Sequence, residues 1–417
     1  MAGEVIVVGA GIAGLATAYR LRSAGIDAVV YESSGVVGGR MATERRDGFV
    51  VDTGADGLLP GYRNTTTLLR ALGLRTEPVS LTAPTAGVWR DGRVHIAPQS
   101  LAGLATFSAI STRTRAKSAR IVGAMCCSGH YDGIDVAAFA RRIGGDELLD
   151  YVLEPCVRGL FGWDPGRSSA GVLLRFLASC YGGLRLRTYR SGMDRLAREL
   201  ARQVPVRLNT RVRTVRGERS HAVVGVDGQG ERRVAACVVA VPAPAAVDIV
   251  DDTFHSFVRA SEYTAMTCVD AFLGRPIGRP EAYGVMFPTR DESVLAWMAF
   301  ESAKPGRVPP GRELVRLTTI EPLGSAGSAD PAVVIEHADR YFPGLAAAVD
   351  KVTVTRFQHA LPRFAPTAQV MRESFRSRSP SAVEFAGDWL CAPCSEGAVR
   401  SSRIAARRVR AWFAQHR

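Results

Sequence analysis

Lysine is nearly absent from this 417-residue chain: of its 53 basic residues, only Lys117, Lys304 and Lys351 are not arginine. The formal net charge is +13. The arginines run along the whole length and form no stripe interleaved with aromatics, which argues against a nucleic-acid partner. The excess reads as a compositional bias, with a peripheral membrane contact left open. Long apolar runs are missing too. No stretch reaches the roughly 18 uninterrupted apolar residues of a membrane-spanning helix. An apolar strand begins soon after Met1 with no basic leader, so no signal peptide is expected and a cytoplasmic location is the default. The eight cysteines are scattered, unlike a secreted disulfide framework. The one CxxC, Cys391 to Cys394, has no second Cys or His pair beside it, so no metal site is expected.

What remains is an ordinary globular composition, 47% hydrophobic and 22% charged, in a chain long enough for two domains. The first motif follows at once. Glu4-Val-Ile-Val-Val8 reads as a parallel strand buried on both faces. Gly9-Ala10-Gly11-Ile12-Ala13-Gly14 is a GxGxxG, and Leu15 to Ala24 has helical periodicity with Gly25 at its end. A second strand, Ala28–Tyr31, runs into Glu32. Strand, glycine turn, helix, strand and acid in this order predict a dinucleotide site. Gly9 permits the tight turn, Gly11 lets the backbone approach a pyrophosphate, and Gly14 lets helix and strand pack closely. The helix N-terminus offers free N–H groups to phosphate. Glu32, with Ser33 beside it, would accept from ribose hydroxyls and disfavours a 2′-phosphate.

Two further segments bear on which dinucleotide. Gly38-Gly39-Arg40 adds backbone amides and a planar guanidinium suited to phosphate. Val51-Asp52-Thr53-Gly54-Ala55-Asp56 is a strand breaking into a glycine turn. At the far end, Val383–Phe385 leads into Gly387-Asp388, then Glu396-Gly397-Ala398 and a helical run from Ile404 to Phe413. Together these segments resemble the flavin monoamine oxidase, protoporphyrinogen oxidase and phytoene desaturase superfamily. The resemblance implies FAD as cofactor. It places Gly38, Gly39 and Arg40 at the diphosphate, and Gly54 and Ala55 beside the isoalloxazine. Asp388 would meet the ribityl or diphosphate region. The amides of Gly397 and Ala398 would point at the pyrimidine edge of the ring, and the adenine would lie against the backbone at Arg211–Val212. One departure is Ser401-Ser402 where the family usually has Ser-Gly.

The implied fold class is α/β, a Rossmann-type FAD-binding domain with a mixed α+β substrate domain. The FAD domain would be discontinuous: 1–85, 190–250 and 375–417. The substrate domain would comprise 86–189 and 251–374, with a helical part at about 98–185 and an antiparallel sheet roofing the flavin. Val206–Val215 alternates like a single strand, and Asp135 is the expected N-cap of a helix. Four side chains are substrate-side candidates: Arg158, in a segment resembling the helical subdomain of protoporphyrinogen oxidases, Trp297 in a predicted strand, and His359 and Arg363 in a segment resembling the family's Ala-x-Pro-x-Tyr.

No catalytic triad or metal cluster is visible, and none is needed where a flavin carries the chemistry. Amine oxidases of the superfamily usually hold a Lys near the flavin, but the matching stretch Thr264–Phe272 has none. The expectation is therefore an FAD-dependent oxidase or dehydrogenase acting on a bulky, largely apolar small molecule by C–C or C–N desaturation. It would resemble protoporphyrinogen oxidase or a desaturase and pass electrons to O2 or another acceptor. An amine or amino-acid oxidase is the alternative, and a non-redox flavoprotein such as an isomerase is the second. Oligomeric state is not legible.

Overall fold

Short runs of Val, Ile and Ala flanked by turns favour strands buried on both faces, and in the computed structural model they form one parallel sheet. The structure describes residues 3–100, 102–180, 183–321 and 329–416. The sheet has five strands in the order Val383–Phe385, Ala236–Val239, Val5–Val8, Ala28–Tyr31, Val206–Arg207. All neighbours are parallel. Its strands come from the beginning, middle and end of the chain. Helix Ile12–Arg22 follows the first strand and packs against the long C-terminal helix Ser395–Gln415.

A second sheet has seven strands, in the order Val349–Pro362, Tyr263–Leu273, Glu313–Glu321, Leu295–Phe300, Gly284–Met286, Ala86–Arg90, Arg93–Ile96. It is mixed rather than purely antiparallel, because Gly284–Met286 runs parallel to Ala86–Arg90. Side chains alternate between its faces. Val269, Ala271, Val315, Leu317 and Met298 bury one face with Val334 and Ala338 of helix Pro331–Tyr341. The other face carries Met266, Cys268, Trp297, Arg316 and Thr318, and these line a cavity. Helices between Thr112 and Ser179 close the far side of that cavity. Asp135 caps its helix as expected, accepting from the Ala138 N–H at 2.7 Å.

Two expectations are corrected. The alternating segment 206–215 is not one strand. The backbone breaks at Asn209, which has φ +51°. Val206–Arg207 therefore joins the parallel sheet, and Val212–Gly217 joins a separate three-stranded sheet. The C-terminal helix begins at Ser395 rather than near Ile404, so the Glu-Gly-Ala triplet lies within its first turn.

Candidate active site

The strands of the parallel sheet end at one cavity of about 1290 Å3. Gly9, with φ +102°, turns the chain from strand to helix. A Cβ at Gly14 would lie 2.0 Å from the Gly9 carbonyl oxygen, so the helix seats against the strand only with glycine there. Gly11 faces open space, with nothing within 4 Å of where its Cβ would be. That is the cradle a pyrophosphate needs: bare backbone at a helix N-terminus. Ile12 and Ala13 complete its lining. Glu32 accepts from the Ala10 N–H at 2.8 Å through one oxygen and from the Ser34 N–H at 2.8 Å through the other. Its carboxylate thus stands at the cavity edge beside Ser33 and beside Thr210–Val212.

Gly38 (φ +112°) and Gly39 (φ +53°) wrap the next turn against this cradle, with Gly38 bridging to Gly11. Arg40 makes a two-pronged pair with Asp388 at 2.7 and 3.0 Å across 348 residues of sequence. Burial alone would lower the Arg40 pKa, but Asp388 and Tyr263 together raise it above its ordinary value, so it stays a cation. The Arg40 carbonyl accepts from the Ala55 N–H at 2.9 Å. A Cβ at Gly54 would sit 2.4 Å from that same oxygen. The two glycine turns are locked to one another, and Gly387 closes the cavity from the other end of the chain. Open backbone at a helix start, an acid at the ribose position and a charge-balanced Arg40–Asp388 pair fit the groups of FAD. Bound there, FAD would supply a hydride acceptor.

The C-terminal motif differs from expectation. Ala398 lines the cavity, but its N–H donates to the Cys394 carbonyl at 3.2 Å and is not free for a ring edge. Gly397 packs under Ala392, where a Cβ would meet the carbonyl oxygen at 2.1 Å, and does not line the cavity. Ala398 is the fifth residue counted from the N-cap Cys394, so its N–H is the first to make an intrahelical bond. Glu396 faces elsewhere. Its two oxygens accept from the backbone and side chains of Asn64 and Thr65 at 2.7–2.9 Å, capping helix Arg63–Ala71. Ser402 is fully buried and accepts from Arg20 at 2.7 Å. Cys391 and Cys394 are free thiols, and burial pushes Cys394 up to about 12.

Of the four substrate-side candidates the structure brings two to the cavity. Trp297 lines it, with an indole N–H that has no acceptor among the described residues. His359 lines it too, and burial and then Arg40 lower its pKa, keeping the ring neutral near pH 7. Arg158 and Arg363 are not part of the lining. Arg158 donates to the carbonyls of Phe287, Leu295 and Ser293, tying its helix to the large sheet. Arg363 pairs with Glu262. Both guanidiniums have structural partners where the sequence showed only a charge in a family-like segment.

Sequence reasoning missed a buried ion network behind the glycine turn. Arg307 grips Asp52 at 2.8 and 3.1 Å, and Lys304 contacts Glu301 at 3.0 Å. Arg316 grips Asp270 at 2.8 and 3.0 Å. Lys304 and Arg316 both reach toward Asp56, at 3.4 and 3.7 Å. The strand Tyr263–Leu273 indeed carries no Lys, but its neighbour delivers a guanidinium to the same cavity wall. Cross-strand register decides this, since Arg316 lies opposite Asp270.

The Flavin containing amine oxidoreductase model matches residues 12–410. The chain is 31% identical over 174 residues to protoporphyrinogen oxidase 2 of Arabidopsis thaliana, covering 39% of this chain and 33% of that protein. It is 28% identical over 174 residues to coproporphyrinogen III oxidase of Staphylococcus aureus, covering 39% and 37%. The aligned stretch thus spans about a third of the length of these relatives. In fold, the chain superposes on cyclohexylamine oxidase from Brevibacterium oxydans with a TM-score of 0.79 at 17% identity, with all of both chains covered. With the family matched over nearly its whole length and the cradle for its cofactor in place, this chain belongs to the flavin-containing amine oxidoreductase family and is an FAD-dependent oxidoreductase.

Proposed function

We propose that the protein dehydrogenates a bulky, largely apolar, ring-built small molecule, in the manner of a porphyrinogen oxidase. The cavity carries this reading. At about 1290 Å3 it is larger than the roughly 300–1,000 Å3 of a site for one drug-sized ligand. It therefore has room for FAD and a sizeable second molecule. Its lining includes the apolar side chains of Phe107, Met125, Leu160, Phe176, Met286 and Trp297. Such a wall excludes water, which strengthens every polar contact inside it and protects a reactive product. The sequence relatives act, by their names, on protoporphyrinogen and coproporphyrinogen III.

In this reading the apolar wall holds the ring system flat, and the large sheet fixes which carbon faces the flavin. Hydride leaves that carbon and a proton leaves the adjacent atom, so a C=C or C=N bond forms. O2 or another acceptor then takes the electrons. The test presents FAD-loaded protein with chemically reduced coproporphyrinogen III and protoporphyrinogen, and in parallel with cyclohexylamine and putrescine. Porphyrin fluorescence rising well above the protein-free autoxidation rate is expected. Flavin bleaching by the amines alone would replace this reading with amine oxidation.

A further inference from the structure

We propose that Asp56 is a substrate-contacting residue that selects a hydrogen-bond-donating, preferably cationic, N–H group on the ligand. This deepens the proposed function and rests on its premise that the cavity takes a second molecule beside FAD. Behind the glycine turn lie four carboxyl groups, Asp52, Asp56, Asp270 and Glu301, and three cations, Lys304, Arg307 and Arg316. Three pairs close tightly: Arg307–Asp52 at 2.8 Å, Arg316–Asp270 at 2.8 Å and Lys304–Glu301 at 3.0 Å. Asp56 is the one left over. It stands 3.4 Å from Lys304 and 3.7 Å from Arg316, each already committed elsewhere.

Asp56 is also the member that faces the ligand space. Its side chain is 25% exposed, against 2% or less for the other six. Its Oδ1 receives one long hydrogen bond from Lys304 at 3.4 Å, and Oδ2 receives none among the described residues. Arg316 does not complete it, because its Nη1 has no hydrogen-bond acceptor. Asp56 lines the same cavity as Met266, Cys268, Thr318 and Arg316. That oxygen, Oδ2, is open to the cavity, so a ligand N–H can reach it, and a positive charge there balances a network with one acid in excess. An anionic group at the same place meets that excess and is rejected. Lys304 and Arg316 both lie on the Oδ1 side of Asp56 and leave its other oxygen free. A porphyrinogen presents such donors in its pyrrole N–H groups.

The test uses FAD-loaded protein and three isosteric probes on one apolar scaffold: anthracenecarboxamidine, anthracenecarboxamide and anthracenecarboxylate. They carry charge +1, 0 and −1 in nearly the same shape, and none offers an oxidisable C–H next to nitrogen. Binding is read from flavin fluorescence and absorbance, with no turnover required. The amidinium should bind about tenfold tighter than the amide, a hydrogen bond to a charged group being worth that factor or more, and the carboxylate weakest. Asp56→Asn should flatten the series to within about threefold, while Asp56→Glu should preserve its order. FAD content and melting temperature of each variant establish that it is folded. If the carboxylate binds as tightly as the amidinium in the unmodified protein, or if Asp56→Asn keeps the full preference, the assignment is overturned. Failure to oxidise porphyrinogens would leave these binding results untouched, so the two ideas fail separately.

Discussion

Asp52 shows how much a single residue of a cofactor motif contributes by facing away from the cofactor. It belongs to the Asp-x-Gly-Ala turn, yet it is 1% exposed and contacts no ligand space. Besides Arg307 it accepts from Thr43 at 2.7 Å and from the Met193 N–H at 2.7 Å. Burial alone would raise its pKa, but Lys304, Arg307 and these hydrogen bonds outweigh it and hold the carboxyl below the ordinary range. A carboxyl whose folded pKa is depressed adds stability that is present above its unfolded value. That stability is lost as pH falls through the folded value, below about 4. Asp52→Asn should cost about 3–5 kcal/mol at pH 7, since it strands a buried guanidinium. The variant should also lose part of the acid sensitivity, so urea melts of the two proteins should converge as pH is lowered from 7 to 3. Equal stability at pH 7 would show that the network is not holding the turn in place.

At the scale of elements, glycines three residues apart at the start of one helix do opposite jobs. Gly14 is a packing residue, because a methyl there collides with the Gly9 carbonyl at 2.0 Å, whereas Gly11 opens onto the cavity with nothing within 4 Å. Gly11→Ala should therefore fold with an unchanged apo melting temperature and lose FAD affinity by at least about tenfold, as backbone approach to the pyrophosphate is blocked. Gly14→Ala should lower stability with or without FAD, by about 1–3 kcal/mol for an overpacked contact. Isothermal titration with FAD and melts of both apo proteins separate the two roles, and equal behaviour of the variants would contradict them. These roles were legible in the sequence because strand, turn and helix are contiguous there. The parallel strands and Asp135's cap were legible for the same reason. What was not legible depends on chain segments meeting at a distance. Arg158 reads as a site residue until the carbonyls of 287, 293 and 295 arrive to take it. Glu396 reads as part of a flavin motif until Asn64 and Thr65 present four donors. Arg316 was not singled out at all, because only cross-strand register brings it opposite Asp270.

For the molecule as a whole, the consequence is that one ligand should tie both ends of the chain together. The cavity takes lining residues from four pieces of chain, among them Gly9 and Gly11, Glu32 and Arg40, Thr210 and Val212, and Gly387 and Ala398. In the protein alone these pieces meet through strand pairing of 5–8 with 236–239, which pairs in turn with 383–385, and through the Arg40–Asp388 pair. FAD adds contacts to all of them at once. By linkage it should stabilise the fold by about 2.7 kcal/mol at a hundredfold excess over its Kd. The stabilisation belongs to the assembled site, so it should not divide by segment. Hydrogen exchange with and without FAD should show protection rising together in residues 9–14, 38–55, 210–212 and 387–398. The outer face of the large sheet, buried on helix Pro331–Tyr341, should change much less. Protection confined to the N-terminal segment would mean that the two ends of the chain do not share one cofactor, and the cavity described here would then be two sites.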